Sequence, residues 1–447
     1  MRTRPRILVI GCGFGGIEAV RALSKAEVEI TLVDRTNHHL FQPLLYQVAT
    51  AGLSAPAVSA PIRHVLRPEM KRGNLTILKG EVGAIDVAAR TATLDGGEQL
   101  AWDHLIVAAG ATHSYFGHDE WAQHAPGLKT LADAFDIRAR MINAFERAER
   151  ARSDAEGSAW LTFVVIGGGP TGVEMAGTMS EIAQHTLPRE FRRIDSTLSR
   201  VILLEGSARI LGAFVPNLSE RAREQLTRLG VEVRTGSKVT AIDADGVTFE
   251  VAADGAPATS ERLAARTVIW AAGVAGSRLG AEISRGTGAA LDRAGRVVVE
   301  PDLGVAGHPE ISVVGDLAAA QSHGPTGISP VPGVSPAAKQ MGRAAAANIV
   351  RRLRGEATLP FRYRDYGNLA TVGRKAAIVD LPVPGVGALR FSGLPAWLFW
   401  LFAHIYFLIG FRNRLIVMVD WAWAYFTYER SARVVAEPVT PPPTARS

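Results

Sequence analysis

One cysteine, Cys12, is all the thiol chemistry available to this chain of 447 residues. An internal disulfide, a redox-active Cys-x-x-Cys pair, a cysteine-ligated iron–sulfur cluster and a four-cysteine zinc site are therefore excluded. Cys12 itself reads as a small filler in a glycine turn. No other metal-ligand cluster stands out. The adjacent His38 and His39 point to different sides of an extended chain and no third ligand accompanies them, so no metal is expected. Base-reading motifs are absent too, which argues against nucleic acid as a partner. No apolar run reaches the roughly 20 residues of a spanning helix. Ile7–Ile10, behind early arginines, is too short for the apolar core of a signal peptide and reads as a first strand. The catalytic body is expected to stay in the cytoplasm.

What is present points to nucleotides. Hydrophobic content of 47% and charged content of 21% describe a globular protein, long enough for two or three domains. Two glycine fingerprints stand out: Ile7-Leu-Val-Ile-Gly-Cys-Gly-Phe-Gly-Gly16 and Phe163-Val-Val-Ile-Gly-Gly-Gly-Pro-Thr-Gly-Val-Glu174. A lone G-x-G-x-x-G is weak, but each copy follows a short β-branched run and opens a helical pattern. Gly11, Gly13 and Gly16, and then Gly167, Gly169 and Gly172, would let backbone N–H groups and a helix N-terminus approach a pyrophosphate. Asp34 lies 23 residues after Gly11, the spacing at which an acid meets a ribose diol. Glu205 follows Gly167 by 38 residues, because an insertion around Pro188–Ser199 delays its strand. At that strand end a carboxylate repels a 2′-phosphate and accepts from a free diol, which favours NADH over NADPH. Two nucleotides in one chain imply redox chemistry.

The remaining organisation echoes this pair. Leu105-Ile-Val-Ala-Ala-Gly110 and Thr267-Val-Ile-Trp-Ala-Ala-Gly273 are strands running into small-residue turns, and Ile311-Ser-Val-Val-Gly-Asp316 ends in a Gly-Asp where an acid can bond a sugar alcohol. A helix from Pro336 to about Leu353 is expected, with Ser335 as its N-cap. Gln340, one turn in, is a candidate for a second substrate's carbonyl. The fold class expected is α/β, with two Rossmann-like dinucleotide-binding domains and a C-terminal membrane-associating helical segment. The division expected is 1–125 and 276–385 for the FAD-binding domain, 126–275 for the NADH-binding domain, 386–434 for membrane-association helices and 435–447 for a disordered tail.

That C-terminal segment changes character. Four of the eight Trp fall between Trp397 and Trp423, and from Val386 onward six Arg face three acids with no Lys. Trp397–Phe411 is apolar around most of its circumference but spans only about 22 Å as a helix, short of the roughly 30 Å of bilayer hydrocarbon. Phe411-Arg-Asn-Arg414 is expected to interrupt it before a second short run, Leu415–Tyr428. Two helices lying in one leaflet, with arginines at the headgroups, fit this pattern; a dimer interface or buried hairpin is the other reading. Asp420 is expected to pair with Arg412 or Arg414.

These motifs resemble the type II NADH dehydrogenases, single-subunit respiratory flavoproteins that reduce quinone without pumping protons. The likeness covers residues 5 to 434 and is most specific at Asn37-His-His-Leu-Phe-Gln-Pro-Leu-Leu-Tyr-Gln47, Gly167–Glu174, Val268-Ile-Trp-Ala-Ala-Gly-Val274 and Val313-Val-Gly-Asp316. It implies that Gly11, Gly13, Gly16, Asp34, Val82 (by its backbone), Ala109 and Asp316 contact FAD, and that Gly167, Gly169, Gly172 and Glu205 hold NADH. Glu174 matches an acid placed near nicotinamide and flavin, with a part in hydride or proton handling. The reaction implied is hydride transfer from NADH to FAD N5, then two electrons to a membrane quinone, on the cytoplasmic face of a bacterial plasma membrane. Residues 394–430 would rest on the bilayer surface, and a homodimer is compatible. Two positions depart from the family: the quinone motif A-Q-x-x-x-Q reads Ser335-Pro-Ala-Ala-Lys-Gln340, and Tyr366 stands where many members have Lys. The rival functions are a reductase of a small electron-transfer protein and a redox-sensing flavoprotein.

Overall fold

Strands with both faces covered need near-continuous apolar sequence, and the β-branched runs supply it. In the computed structural model, Arg6–Ile10 is buried beyond its first residue, and Thr162–Ile166 is buried throughout. Residues 4–188, 190–253, 256–324, 327–383, 385, 387–430 and 432–435 are described. The proline-rich tail expected to be disordered lies, beyond Val435, outside the described residues. The chain forms two compact units: Met1–Leu40, Ser59–Ser114 and Gly273–Gly367 make the first, and Phe41–Val58, Tyr115–Ala272 and Asn368–Ser447 the second. The segment Phe41–Val58, assigned from sequence to the first nucleotide domain, thus clusters with the second.

The first unit is built on a six-stranded sheet. Its order is Gly304–Val305, His308–Val313, His104–Val107, Arg6–Ile10, Glu29–Asp34 and Leu75–Lys79, parallel except at the Gly304 edge. Helices Phe14–Leu23 and Ser335–Leu353 pack against each other. The second unit repeats the plan with four parallel strands, Val231–Arg234, Arg200–Leu204, Thr162–Ile166 and Thr267–Trp270. It adds an antiparallel meander, Asn368–Gly373, Ala376–Val383 and Gly387–Ser392, that packs on helices Pro170–Glu181 and Leu394–Phe407.

Three local expectations are corrected. Helix Ser335–Leu353 has Val334 at its N-cap, so Ser335 is already helical and no side chain caps the start. In the C-terminal region the helices are Leu394–Phe407 and Phe411–Thr427, and the break falls at Leu408–Gly410 instead of Phe411–Arg414. Gly410 takes a left-handed φ of +87° that suits glycine. Arg414 then donates to the carbonyls of Leu408 (2.9 Å) and Tyr406 (2.8 Å), satisfying the end of the preceding helix. With Arg414 so used, Asp420 has no ion pair among the described residues, and burial raises its pKa.

Close packing in the second unit depends on Gly177. It faces strand Asn368–Gly373 so tightly that a Cβ would overlap the Val372 carbonyl oxygen. Gly177→Ala should therefore destabilise the protein by about 1–3 kcal/mol despite alanine's better helix propensity. Thermal unfolding checks this: an unchanged or raised midpoint would contradict the contact.

Candidate active site

In parallel α/β sheets, ligands sit beyond the carboxyl ends of the strands. The residues expected to contact FAD lie there in the first unit. Gly11 follows strand Arg6–Ile10 at φ +98°, and a Cβ on it would collide with the Ala108 carbonyl, next to Ala109. A Cβ on Gly16 would overlap the Gly11 oxygen. Gly13 is the N-cap of helix Phe14–Leu23; no side chain caps it, and the space where its Cβ would be is open. Asp34 ends its strand and binds the turn: one oxygen accepts from Cys12 N (2.6 Å), the other from Thr36 N and Oγ1 (2.7 Å each). Gly80 N donates to the Asp34 carbonyl at 3.0 Å, bringing Val82 to the same edge. The Val82 carbonyl accepts from Arg278 at 3.1 Å. Asp316 follows Gly315, at φ +75°, and Val314 N ties that turn to Val107 O at 3.0 Å.

The second unit builds the same device. Gly167 has φ +107° and no room for a Cβ against Ala271 and Ala272, a Cβ on Gly172 would overlap the Gly167 oxygen, and Gly169 is an uncapped N-cap facing open space. Glu205 reaches back to Gly168 N (2.6 Å) with one oxygen and takes Ser207 N and Oγ (2.7 Å each) with the other. Strand register explains why the long insertion does no harm. Ile10 pairs Val33 just before Asp34, and Ile166 pairs Leu204 just before Glu205. Gly11 N donates to Val33 O and Gly167 N to Leu204 O, each at 2.8 Å.

These features test whether dinucleotides fit. A dinucleotide needs N–H donors for its pyrophosphate and acceptors for its ribose diol. Each turn offers an uncapped helix start beside open space. Each acid keeps acceptor capacity, since a carboxylate has about four lone-pair positions and three are used. Both sites fit. His39, which the sequence placed beside His38 without a third ligand, instead supports the first turn. Its Nδ1 lies 2.9 Å from the Cys12 carbonyl, and burial pushes its pKa down to about 4, so the neutral ring donates there. Burial likewise raises the Cys12 thiol, which makes it a poor nucleophile.

Glu174 differs from the other acids. It is the fifth residue of helix Pro170–Glu181 and is buried. Desolvation holds its pKa well above the usual carboxylate range, with one opposing contribution from the Thr371 backbone. Burial therefore favours the protonated form of this acid. Gln340 is engaged locally: its Nε2 donates to Arg364 O and its Oε1 accepts from Arg364 N, each at 2.9 Å. That two-point clasp holds the Arg364–Gly367 segment, where Tyr366 is exposed, and leaves the amide one further N–H.

Two clusters escaped sequence reasoning. Arg430, largely buried, pairs with Glu181 at 3.4 Å and donates to Thr50 O at 3.2 Å. Trp421 Nε1 donates to Gln47 Oε1 at 2.6 Å, and Gln47 Nε2 donates to the Tyr46 hydroxyl at 2.9 Å. Partners 374 positions apart leave no local signal; the Tyr-Gln pair within the Asn37–Gln47 motif was the only visible end.

Comparison with known proteins agrees with this geometry. Residues 5–342 match the family model described as pyridine nucleotide-disulphide oxidoreductase, and residues 366–428 match the NDH2 C-terminal domain. The chain is similar to a type II NADH:quinone oxidoreductase of Mycobacterium tuberculosis, 42% identical over 97% of this chain and 91% of that one. It is 30% identical to a type II NADH:quinone oxidoreductase of Staphylococcus aureus over 83% of this chain and 88% of the other. Its fold matches the solved structure of NDH2 from Plasmodium falciparum, with a TM-score of 0.85 at 19% identity, covering 97% of this chain and all of that one.

The Glu205 geometry sets a selectivity test. Glu205→Gln should cut the preference for NADH over NADPH by about tenfold, the worth of one charge–charge repulsion of about 1.4 kcal/mol. The ratio of kcat/KM for the two nucleotides reads this, and an unchanged ratio would remove Glu205 from the ribose site.

Proposed function

The chain belongs to the type II NADH:quinone oxidoreductases, and on that premise we propose how its own residues share the work of reducing quinone with NADH. It is an FAD-dependent enzyme, and family membership decides for quinone over a small electron-transfer protein as acceptor. FAD, when bound, would supply the two-electron chemistry that links NADH oxidation to quinone reduction. Gly11, Gly13, Gly16, Asp34, Val82, Ala109 and Asp316 hold FAD; Gly167, Gly169, Gly172 and Glu205 hold NADH. The single observation that carries this division is the matched pair of acid-closed glycine turns. The net reaction, NADH + H⁺ + quinone → NAD⁺ + quinol, draws one proton from the medium. Glu174 supplies it and is refilled from solvent. Gln340 acts by fixing the Arg364–Gly367 segment and by its remaining N–H, within a pocket altered by Pro336 and Tyr366.

We also infer that residues 394–430 rest on the lipid surface, on the cytoplasmic face of a bacterial plasma membrane. No described helix is long and apolar enough to cross a membrane. Leu394, Leu398, Phe402 and Tyr406 recur every fourth residue, so they line one helix face, and all are 46–68% exposed. Phe411, Leu415, Val419 and Phe426 continue the exposed apolar surface on the next helix. Such a face is stable when buried among acyl chains.

Two measurements test these assignments. Phe402→Glu combined with Phe411→Glu should lower binding to anionic liposomes at least tenfold while NADH still bleaches the flavin; undiminished sedimentation with liposomes would reject the surface. Glu174→Gln should reduce quinone turnover about 10²-fold, in the range of general acid catalysis. It should also change stability with a defined sign. Folding raises this acid's pKa, so its contribution is whole below the unfolded carboxylate pKa and is lost as pH climbs toward the folded value. The melting temperature of Glu174→Gln should therefore gain on the parent as pH rises above the unfolded carboxylate pKa of about 4.3, and parallel curves would show that Glu174 is not held protonated.

A further inference from the structure

The six-stranded sheet has a second end, opposite the one where the first glycine turn lies. There Arg6–Ile10, His104–Val107 and His308–Val313 begin side by side. Helix Ser335–Leu353 finishes at the same place, and a cavity of about 450 Å³ opens between them. Its polar wall is made by Arg90, Asp103, His104, Glu310 and Arg352. The donors in that wall lack acceptors. Arg352 pairs with Asp302 through one nitrogen, while its Nη1 is buried without a hydrogen-bond partner. His104 Nδ1 is buried and unpartnered in the same way. Arg90 makes no hydrogen bond or ion pair through its guanidinium among the described residues. Yet its backbone holds a left-handed φ of +52°, where glycine or asparagine would sit with less strain. The acids, by contrast, are engaged. Asp103 takes three hydrogen bonds from Arg6, at 2.7, 2.8 and 3.2 Å, and Glu310 faces His308 at 3.4 Å.

We propose that this cavity binds a phosphate monoester, whose oxygens accept from Arg90, Arg352 and His104. Pro5, Pro309 and Leu353 complete the lining and give the organic part of the ester an apolar wall. Guanidinium forks match phosphate oxygens in geometry, and unsatisfied buried donors are costly until an acceptor arrives. Strain at a non-glycine residue persists where its side chain has a use, which accounts for an arginine at position 90. The fixed charges cancel: Arg6, Arg90 and Arg352 stand against Asp103, Asp302 and Glu310. A dianion therefore needs one more positive charge, and His104 supplies it by taking a proton. Burial first, then Arg352, hold the unliganded imidazole below its ordinary pKa; Arg90 adds to this, while Asp103 and Glu310 oppose it. An anion beside the ring favours imidazolium, so binding raises that pKa and affinity grows as pH falls.

Sulfate tests the head group, because it stays dianionic throughout the pH range used. Isothermal titration of the flavin-loaded enzyme at low salt should show one saturable site that tightens from pH 8 to pH 6. Arg90→Asn keeps a residue suited to the left-handed turn and removes the guanidinium. It should weaken sulfate at least tenfold, the worth of a charge-assisted hydrogen bond, with quinone turnover and melting temperature as in the parent. If Arg90→Asn folds poorly, Arg90→Gln carries the same expectation. No saturable binding, or an arginine variant that binds sulfate as the parent does, would overturn the site. His104→Gln should keep a weaker site whose affinity no longer depends on pH; a slope that survives there overturns the proton coupling. Phenyl phosphate and inorganic phosphate, compared at pH 8 where both are largely dianionic, test the apolar wall. The ester should bind several times more tightly, and equal affinity overturns the monoester assignment.

Discussion

Close approach of backbone to backbone at two glycine turns is the constraint on which this protein is built. At each turn a strand end, the next strand over and a helix start converge within one residue's width. Gly11 and Gly16 permit this in the first unit, Gly167 and Gly172 in the second, and a methyl group at any of the four would strike a main-chain atom. Once the turn is that tight, the helix start faces outward uncapped. The acid on the neighbouring strand then lies within reach of the turn's own N–H. Asp34 and Glu205 bind Cys12 N and Gly168 N at the same 2.6 Å, in two segments of different sequence. The outward-facing N–H groups that a nucleotide would use are a consequence of that steric solution rather than an addition to it.

This explains what the sequence made legible. Glycine periodicity, β-branched runs and strand-end acids are local signals, and they located both acid-closed glycine turns and the α/β architecture. Glu205 was legible despite its irregular spacing because register, not chain length, sets its position; the inserted residues leave the Ile166–Leu204 pairing untouched. Where a residue's role depends on a distant partner, the sequence was silent or misleading. Ser335 resembled a cap, yet the helix starts one residue earlier. Phe411–Arg414 resembled a break, yet Gly410 supplies it and Arg414 heals the preceding helix end. Gln340 showed nothing in the sequence of its two bonds to Arg364, 24 positions away, which the fold brings within reach.

Carboxylates in this chain take their roles from the number of donors around them. Asp34 and Glu205 each accept three hydrogen bonds and serve as anchors for backbone turns. Glu174 is buried with far fewer, and its pKa is raised by burial. The difference is positional. Strand ends open onto turns rich in N–H groups, whereas the middle of a buried helix has its backbone donors already spent within the helix. A carboxyl that keeps its proton is therefore favoured on the helix, and an ionised hydrogen-bond acceptor at the strand end.

Helix Pro170–Glu181 unites these demands within its 12 residues. Its start is the second glycine turn, its second turn carries Glu174, and its last residue, Glu181, pairs with Arg430. Arg374 reinforces that end: its N–H bonds Glu181 at the head of the meander, and its guanidinium caps the carbonyls of Ala424 (2.7 Å) and Tyr425 (2.6 Å). A buried ion pair gains little net stability over apolar packing, but breaking one partner leaves an uncompensated charge. Its value here is in fixing position. Apolar faces slide against lipid without preferred register, so lipid contact of the kind proposed above would not set where Trp421 stands. The Arg430–Glu181 pair and the Arg374 cap tie the C-terminal helix to the element bearing Glu174, and Trp421 to Gln47 adds a third tie to the same helix.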